Sequence, residues 1–239
     1  MDKKKVTAII LAAGSGKRMN SDTAKQYLLL QGKPVLYYTI KAFENSSIDE
    51  IILVVGKDEI EYCKNSIIDE YDFKKVSKII VGGAERYNSV FCGLNAITST
   101  DYVLIHDGAR PFITVDIIET VIKEVIKYNA CVVGMPSKDT IKVVNTDGII
   151  TETPNRDKMW MVQTPQAFAY QIIFEAYSMI INKLEYNNLG LNITDDAMVV
   201  ESTMNYPIKM VKGSYSNIKI TTPEDILIGD VLIKTINLS

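Results

Sequence analysis

The chain of 239 residues has one histidine, His106, and three cysteines, Cys63, Cys92 and Cys131, set far apart. Any Ser–His–Asp scheme would have to run through His106, and a structural histidine at a strand end is the simpler expectation. An odd number of dispersed cysteines excludes a disulfide framework and a thiolate metal site, and fits a reducing compartment. There is no basic excess: 26 Lys and Arg stand against 29 Asp and Glu, for a net charge of -3, which excludes a general nucleic-acid binder. No apolar run reaches membrane-spanning length. The start, Met1-Asp2-Lys3-Lys4-Lys5, leads into a short strand without the apolar region of a signal peptide, so the expectation is a cytoplasmic protein bound to neither membrane nor nucleic acid. Internal repeats and low-complexity linkers are also missing. What remains is a chain 47% hydrophobic, long enough for one large α/β domain over 1–239.

Within it, Val6 to Gln26, VTAIILAAGSGKRMNSDTAKQ, is the most telling segment. The apolar run Ile9–Ala13 breaks into Gly14-Ser15-Gly16, with Lys17, Arg18 and Lys25 close behind. Glycines let backbone N–H groups approach a ligand closely, and the cations suit one with several anionic oxygens. The spacing predicts a polyphosphate site; the plainer alternative is a strand-exit turn. Two better-known loops fail. A P-loop would need Gly at Leu11 and a hydroxyl at Arg18, and the dinucleotide fingerprint of a Rossmann dehydrogenase would need Gly at Met19.

Strand-like runs at Val6–Ala13, Glu50–Val55, Lys78–Val81, Tyr102–Ile105 and Cys131–Met135 alternate with helix-period stretches at Pro34–Glu44, Asp58–Asp69, Asn88–Ile97 and Val115–Tyr128. Pro34 is expected at the first helical position. The alternation predicts a Rossmann-like, mostly parallel sheet with helices on both faces, and ligands beyond the carboxyl ends of its strands. Gly14–Arg18, Gly82-Gly83 and Asp107 fall at such ends. Thr140–Val144 and Ile149–Thr153, joined by Asn145-Thr146-Asp147-Gly148, predict a protruding β-hairpin arm at about 138–157. A lone hairpin is marginal in water, so exchange across a homodimer is expected. A helix over Tyr170–Asn182 follows, then one capped by Thr194 with Asp195 and Asp196 in its first turn; capping explains this acidic pair better than a metal site. Ile208–Val211 and Asn217–Ile220 read as strands, the latter carrying Lys219, and Thr222-Pro223-Glu224-Asp225 opens a last helix.

The segments LAAGSGKRM, KQYLLLQGKPVL, GGAERYNSV, HDGARPFI, KDTIK, QTPQAF, TDDAMVVE and NIKITTPEDI, in this order, resemble the polyol-phosphate cytidylyltransferases over essentially the full chain. Ala109, Lys138 and the full TDDA favour the branch acting on 2-C-methyl-D-erythritol 4-phosphate over the ribitol 5-phosphate branch, which stays as the alternative. A non-catalytic nucleotide-binding regulatory module is the alternative of another class; it would lack the second pair of cations. Asn20, Gly108 and Tyr87 depart from the family's usual Gly, Ala and Gln.

The resemblance implies a nucleotidyltransferase core with a β-arm that completes the neighbouring subunit's site. It implies attack of a phosphate monoester oxygen on the α-phosphorus of CTP, with release of pyrophosphate. Arg18 and Lys25 would stabilise the transition state while Ala12, Ala13, Gly14, Ser15 and Gly16 cradle the phosphates. Gly82, Gly83 and Ser89 would read cytosine, and Asp107 is a candidate for the ribose or the Mg2+ shell, Mg2+ being held mainly by CTP. Arg156 and Lys219 would position the polyol phosphate, with Thr140 and Thr164 beside them. Such chemistry needs no general base, because a phosphate monoester, with a second pKa of about 6, is mostly dianionic near neutral pH.

Overall fold

The computed structural model describes residues 3–14, 24–187 and 193–237. In chain order, β1 (Val6–Ala12) is followed by the short pair β2 (Leu29–Leu30) and β3 (Lys33–Pro34), and by α1 (Val35–Glu44). Next come β4 (Glu50–Val55), α2 (Ile60–Cys63), β5 (Val76–Val81), α3 (Arg86–Ala96), β6 (Tyr102–Asp107), α4 (Val115–Tyr128) and β7 (Ala130–Pro136). The arm is β8 (Val143–Val144) and β9 (Ile150–Glu152). Then follow β10 (Trp160–Ala169), α5 (Tyr170–Asn187), α6 (Asp196–Met204), β11 (Lys209–Lys212) and α7 (Pro223–Asn237).

Among the described residues seven strands form one sheet, in the order β11-β7-β10-β6-β1-β4-β5. All neighbours are parallel except β10, which lies antiparallel between β6 and β7. β1 shows why the centre is parallel: it is apolar on both faces and buried along its length. Ala8 and Ile10 join α1 and α4 residues such as Phe43 and Val121 in one core; Ile9 points the other way into a second core with Val90 of α3 and Tyr177 of α5. Each large aliphatic side chain so buried contributes about 1.5–3 kcal/mol. α4 is fixed at both ends. Thr114 accepts a hydrogen bond from the Ile117 N–H, and Asn129 closes the helix in the left-handed region. No helix among the described residues is long and apolar enough to cross a membrane.

Several expectations need correction. Pro34 precedes α1 as its cap and is the last residue of β3. The helix expected over Asp58–Asp69 is one α-turn, Ile60–Cys63, running into a π-turn through Asp69. Asp195, not Thr194, caps α6, because its carboxylate accepts from the Met198 N–H. Asn217–Ile220 is no strand. Isolated bonds pin it instead: the Asn217 amide donates to the Thr164 carbonyl, and the Ile220 N–H to the Ala109 carbonyl.

The arm is tighter at its tip than along its strands. Asn145 Oδ1 accepts from the N–H groups of Asp147 and Ile149, and Gly148 takes φ +76°. Val143, Val144, Ile149 and Ile150 are all exposed.

Candidate active site

The carboxyl ends of β1, β5 and β6 open onto a cleft of about 440 Å³, lined among others by Ala13, Gly14, Lys25, Gly83, Ser89 and Asp107. A second cleft of about 280 Å³ lies over β10 and includes Thr164, Gln166 and Arg110. Arg86, Asp107 and Lys219 line both.

The first cleft is shaped by close backbone approach. Gln26, fully buried, donates through Nε2 to the Ala12 carbonyl and so ties the Lys25–Tyr27 turn to the end of β1. That turn is anchored behind by Tyr27, whose hydroxyl donates to Glu59. Opposite, the Gly83 N–H donates to Ser89 Oγ at 3.1 Å. A side chain at Gly82 would stand 2.6 Å from the Ala13 Cβ and 2.7 Å from Ser89 Oγ, so the wall closes only over glycine. Glu85 starts α3 with a reciprocal cap to Asn88, leaving Arg86 as the first helical residue, at the cleft.

Charge concentrates where the clefts meet. The Asp107 carboxylate takes Lys219 Nζ at 2.7 Å on Oδ2 and Arg86 Nε at 3.2 Å on Oδ1, with Arg110 Nε at 3.7 Å. Burial alone would raise its pKa, but Arg86, Lys219 and Arg110 together hold it well below the usual carboxylate range. Behind it, Arg86 forms a two-pronged pair with the fully buried Asp196, at 2.9 and 2.8 Å. Tyr177 donates to the same carboxylate at 2.5 Å, and burial followed by the Asp196 charge pushes that hydroxyl up, leaving it a neutral donor. Gln166 accepts the N–H groups of Asp196 and Ala197, fixing the start of α6 against β10. His106 is wholly buried against Phe43, 3.1 Å from the Thr164 hydroxyl, and burial pushes its pKa down to about 3. It is neutral and sealed from the clefts at neutral pH.

A family model described as IspD, 2-C-methyl-D-erythritol 4-phosphate cytidylyltransferase, matches residues 6–235. The chain belongs to this family. A cytidylyltransferase of that name from Lachnoclostridium phytofermentans is 55% identical over 97% of this chain and 97% of its own. Another from Lachnospira eligens is 51% identical over 95% of this chain and 99% of its own. The solved 4-diphosphocytidyl-2C-methyl-D-erythritol synthase from Anaerococcus prevotii superposes with a TM-score of 0.84 at 36% identity, covering 97% of this chain and 96% of that one.

Of the residues that the cytidylyltransferase resemblance singles out, Ala12, Ala13, Gly14, Lys25, Gly83, Ser89, Asp107 and Lys219 meet at the first cleft. Gly82 packs behind it at the end of β5. Thr164 lines the second cleft and accepts the Asp107 N–H at 3.1 Å. Ser15, Gly16 and Arg18 lie outside the described residues. Thr140 and Arg156 line neither cleft; they sit exposed on the arm and at its base, where Arg156 donates to the Lys138 carbonyl. Sequence reasoning assigned nothing to Arg86, Arg110, Gln166 or Tyr177, and gave Asp196 only a place in the first turn of a helix. Arg86 could have been found, since it is a cation three residues after Gly83, at the start of α3.

Proposed function

We propose that this chain is one nucleotidyltransferase domain that transfers the cytidylyl group of CTP to 2-C-methyl-D-erythritol 4-phosphate, a step in non-mevalonate isoprenoid precursor synthesis. A bond forms between a phosphate monoester oxygen and the α-phosphorus of CTP. The bond from that phosphorus to the β-phosphate bridging oxygen breaks, and pyrophosphate leaves. The two reactants are both anions, so the barrier is dominated by charge, which cations can relieve.

The observation that carries this reading is the pair of clefts sharing Asp107 and Lys219, one rimmed by the glycine loops and one over β10. The first suits a nucleoside triphosphate, with Ala12–Gly16 around the phosphates and Gly82, Gly83 and Ser89 at a pyrimidine edge. Arg18 and Lys25 neutralise charge building on the α-phosphoryl group and the leaving pyrophosphate. Lys219 and Thr164 face the polyol phosphate, and Thr140 and Arg156 join them from a second subunit. The exposed apolar residues of the arm, and the position of Arg156 away from both clefts, support a homodimer formed by arm exchange.

Mg2+ fits best as a companion of the triphosphate. Among the described residues no three His, Cys, Asp or Glu groups converge to hold a cation. Asp107 fits poorly as a direct ligand, since both its oxygens already face cationic nitrogens. Carried on the phosphate oxygens, the ion would add charge neutralisation there. The three separated free cysteines suit a reducing cytoplasm.

Pyrophosphate release with CTP, UTP and ATP, each against methylerythritol phosphate and ribitol 5-phosphate, tests the reading. Turnover should be confined to CTP with methylerythritol phosphate; equal or faster turnover with ribitol 5-phosphate would overturn it. Arg18→Ala and Lys25→Ala should each lower kcat on the order of 10²–10³-fold.

A further inference from the structure

Among the described residues three line both clefts, and the resemblance accounts for two of them, Asp107 and Lys219. The third, Arg86, is tied down on two sides. Its two Nη atoms fork onto Asp196, which is fully buried, and its Nε donates to Asp107 Oδ1. Asp196 is itself immobilised by the Tyr177 hydroxyl and by the Gln166 side chain, which accepts its N–H. The other oxygen of Asp107 holds Lys219 Nζ at 2.7 Å. Charges of alternating sign therefore run outward from the core: Asp196, Arg86, Asp107, Lys219.

A lysine has four rotatable side-chain bonds and one compact charge, so on its own it would sample many positions. Lys219 sits on an unpaired segment, with its side chain about one third exposed, and gets no help from a strand. A planar guanidinium held by a buried fork supplies the missing rigidity. We propose that Arg86 is a positioning residue for the transfer reaction, which acts through Asp107 to hold Lys219 at the junction where the polyol phosphate meets the nucleotide. This rests on the role given to Lys219 above.

The test is a double-mutant cycle on kcat/KM for methylerythritol phosphate at saturating CTP, with thermal unfolding of every variant. Arg86→Gln and Lys219→Met should each lower kcat/KM on the order of 10²-fold. If Arg86 acts through Lys219, the double variant should fall within about threefold of the worse single variant. A merely structural Arg86 would lower Tm and give a double variant reduced by the product of the two factors, which would overturn the proposal. So would an Arg86→Gln enzyme with wild-type kcat/KM. If Lys219→Met alone retains wild-type kcat/KM, the role of Lys219 fails first. Should Arg86→Gln not fold, Arg86→Lys keeps the charge beside Asp196 without the fork and replaces it in the same cycle. Asp196→Asn should lower kcat/KM in the same direction as Arg86→Gln and likewise add nothing in the Lys219→Met background.

Discussion

Lys219 Nζ lies 2.7 Å from Asp107 Oδ2, and that contact joins the end of a central strand to a loop that belongs to no sheet. Asp107 is nearly sealed from solvent, and three cationic side chains point at it. In Asp107→Asn, Lys219 and Arg110 would lose the carboxylate they face, and Arg86 would keep only Asp196. Since Arg86 and Lys219 are part-exposed, the loss should be below that for a fully buried pair, about 2 kcal/mol of unfolding free energy. Urea titration at neutral pH measures it, and pyrophosphate release should fall on the order of 10²-fold.

His106 makes stability depend on pH in a definite direction. Its pKa is about 3 in the folded chain against 6.5 when unfolded, so between these values only the unfolded chain binds the proton. Stability is therefore highest above pH 6.5 and falls as pH drops towards 3, by about 1 kcal/mol per unit from this residue. Asp107 acts in the same direction at lower pH: its depressed pKa gives a contribution intact above the ordinary carboxylate range and lost as pH falls through and below that range. Unfolding free energies measured at pH 7, 6 and 5 should show the histidine slope, and His106→Asn should flatten it.

Gly82→Ala should press a methyl group between Ala13 and Ser89. Overpacking of this kind costs about 1–3 kcal/mol. Because the displaced atoms belong to the nucleotide cleft, KM for CTP should rise while KM for the polyol phosphate stays near its original value. Steady-state kinetics with each substrate varied in turn separates the two.

Arm exchange predicts rescue between defective chains. Lys25→Ala and Arg156→Ala proteins should each be nearly inactive, yet a refolded equal mixture should recover about a quarter of wild-type activity, since half the dimers would carry one intact site. Recovery of none would place Arg156 with its own chain's Lys25. Val144→Glu combined with Ile150→Lys should shift the protein towards monomer in sedimentation velocity.

The main-sheet strands up to β7, and α1, α3 and α4 between them, were legible because their apolar runs sit in a strand–helix alternation, with both faces of β1 buried; the short β2–β3 pair and the single turn of α2 were not. Nor was β10. Gln163-Thr164-Pro165-Gln166 carries polar groups and a proline through the middle of a strand, and the ladder to β7 shifts register there, between Val162 and Gln166, where a proline is tolerated. Asn217–Ile220 misled in reverse: an apolar alternation that looked like a strand is held by side-chain and single backbone bonds. The glycine loops and Lys25 were readable from local spacing. The Arg86–Asp196 pair joins residues far apart in the chain, and nothing local announces it.

The place of β10 also sets an order of assembly. The half-sheet β6-β1-β4-β5 can close using residues no later than Asp107. β7 pairs only with β10 and β11, both made after it, so an emerging chain carries β7 without a partner until Ala169 is available. Such long-range pairing is slow and leaves strand edges open. The wall of the nucleotide cleft built on β1, β5 and β6 can therefore take shape while synthesis continues, whereas the polyol phosphate cleft over β10 and the Lys219 side shared by both clefts form last.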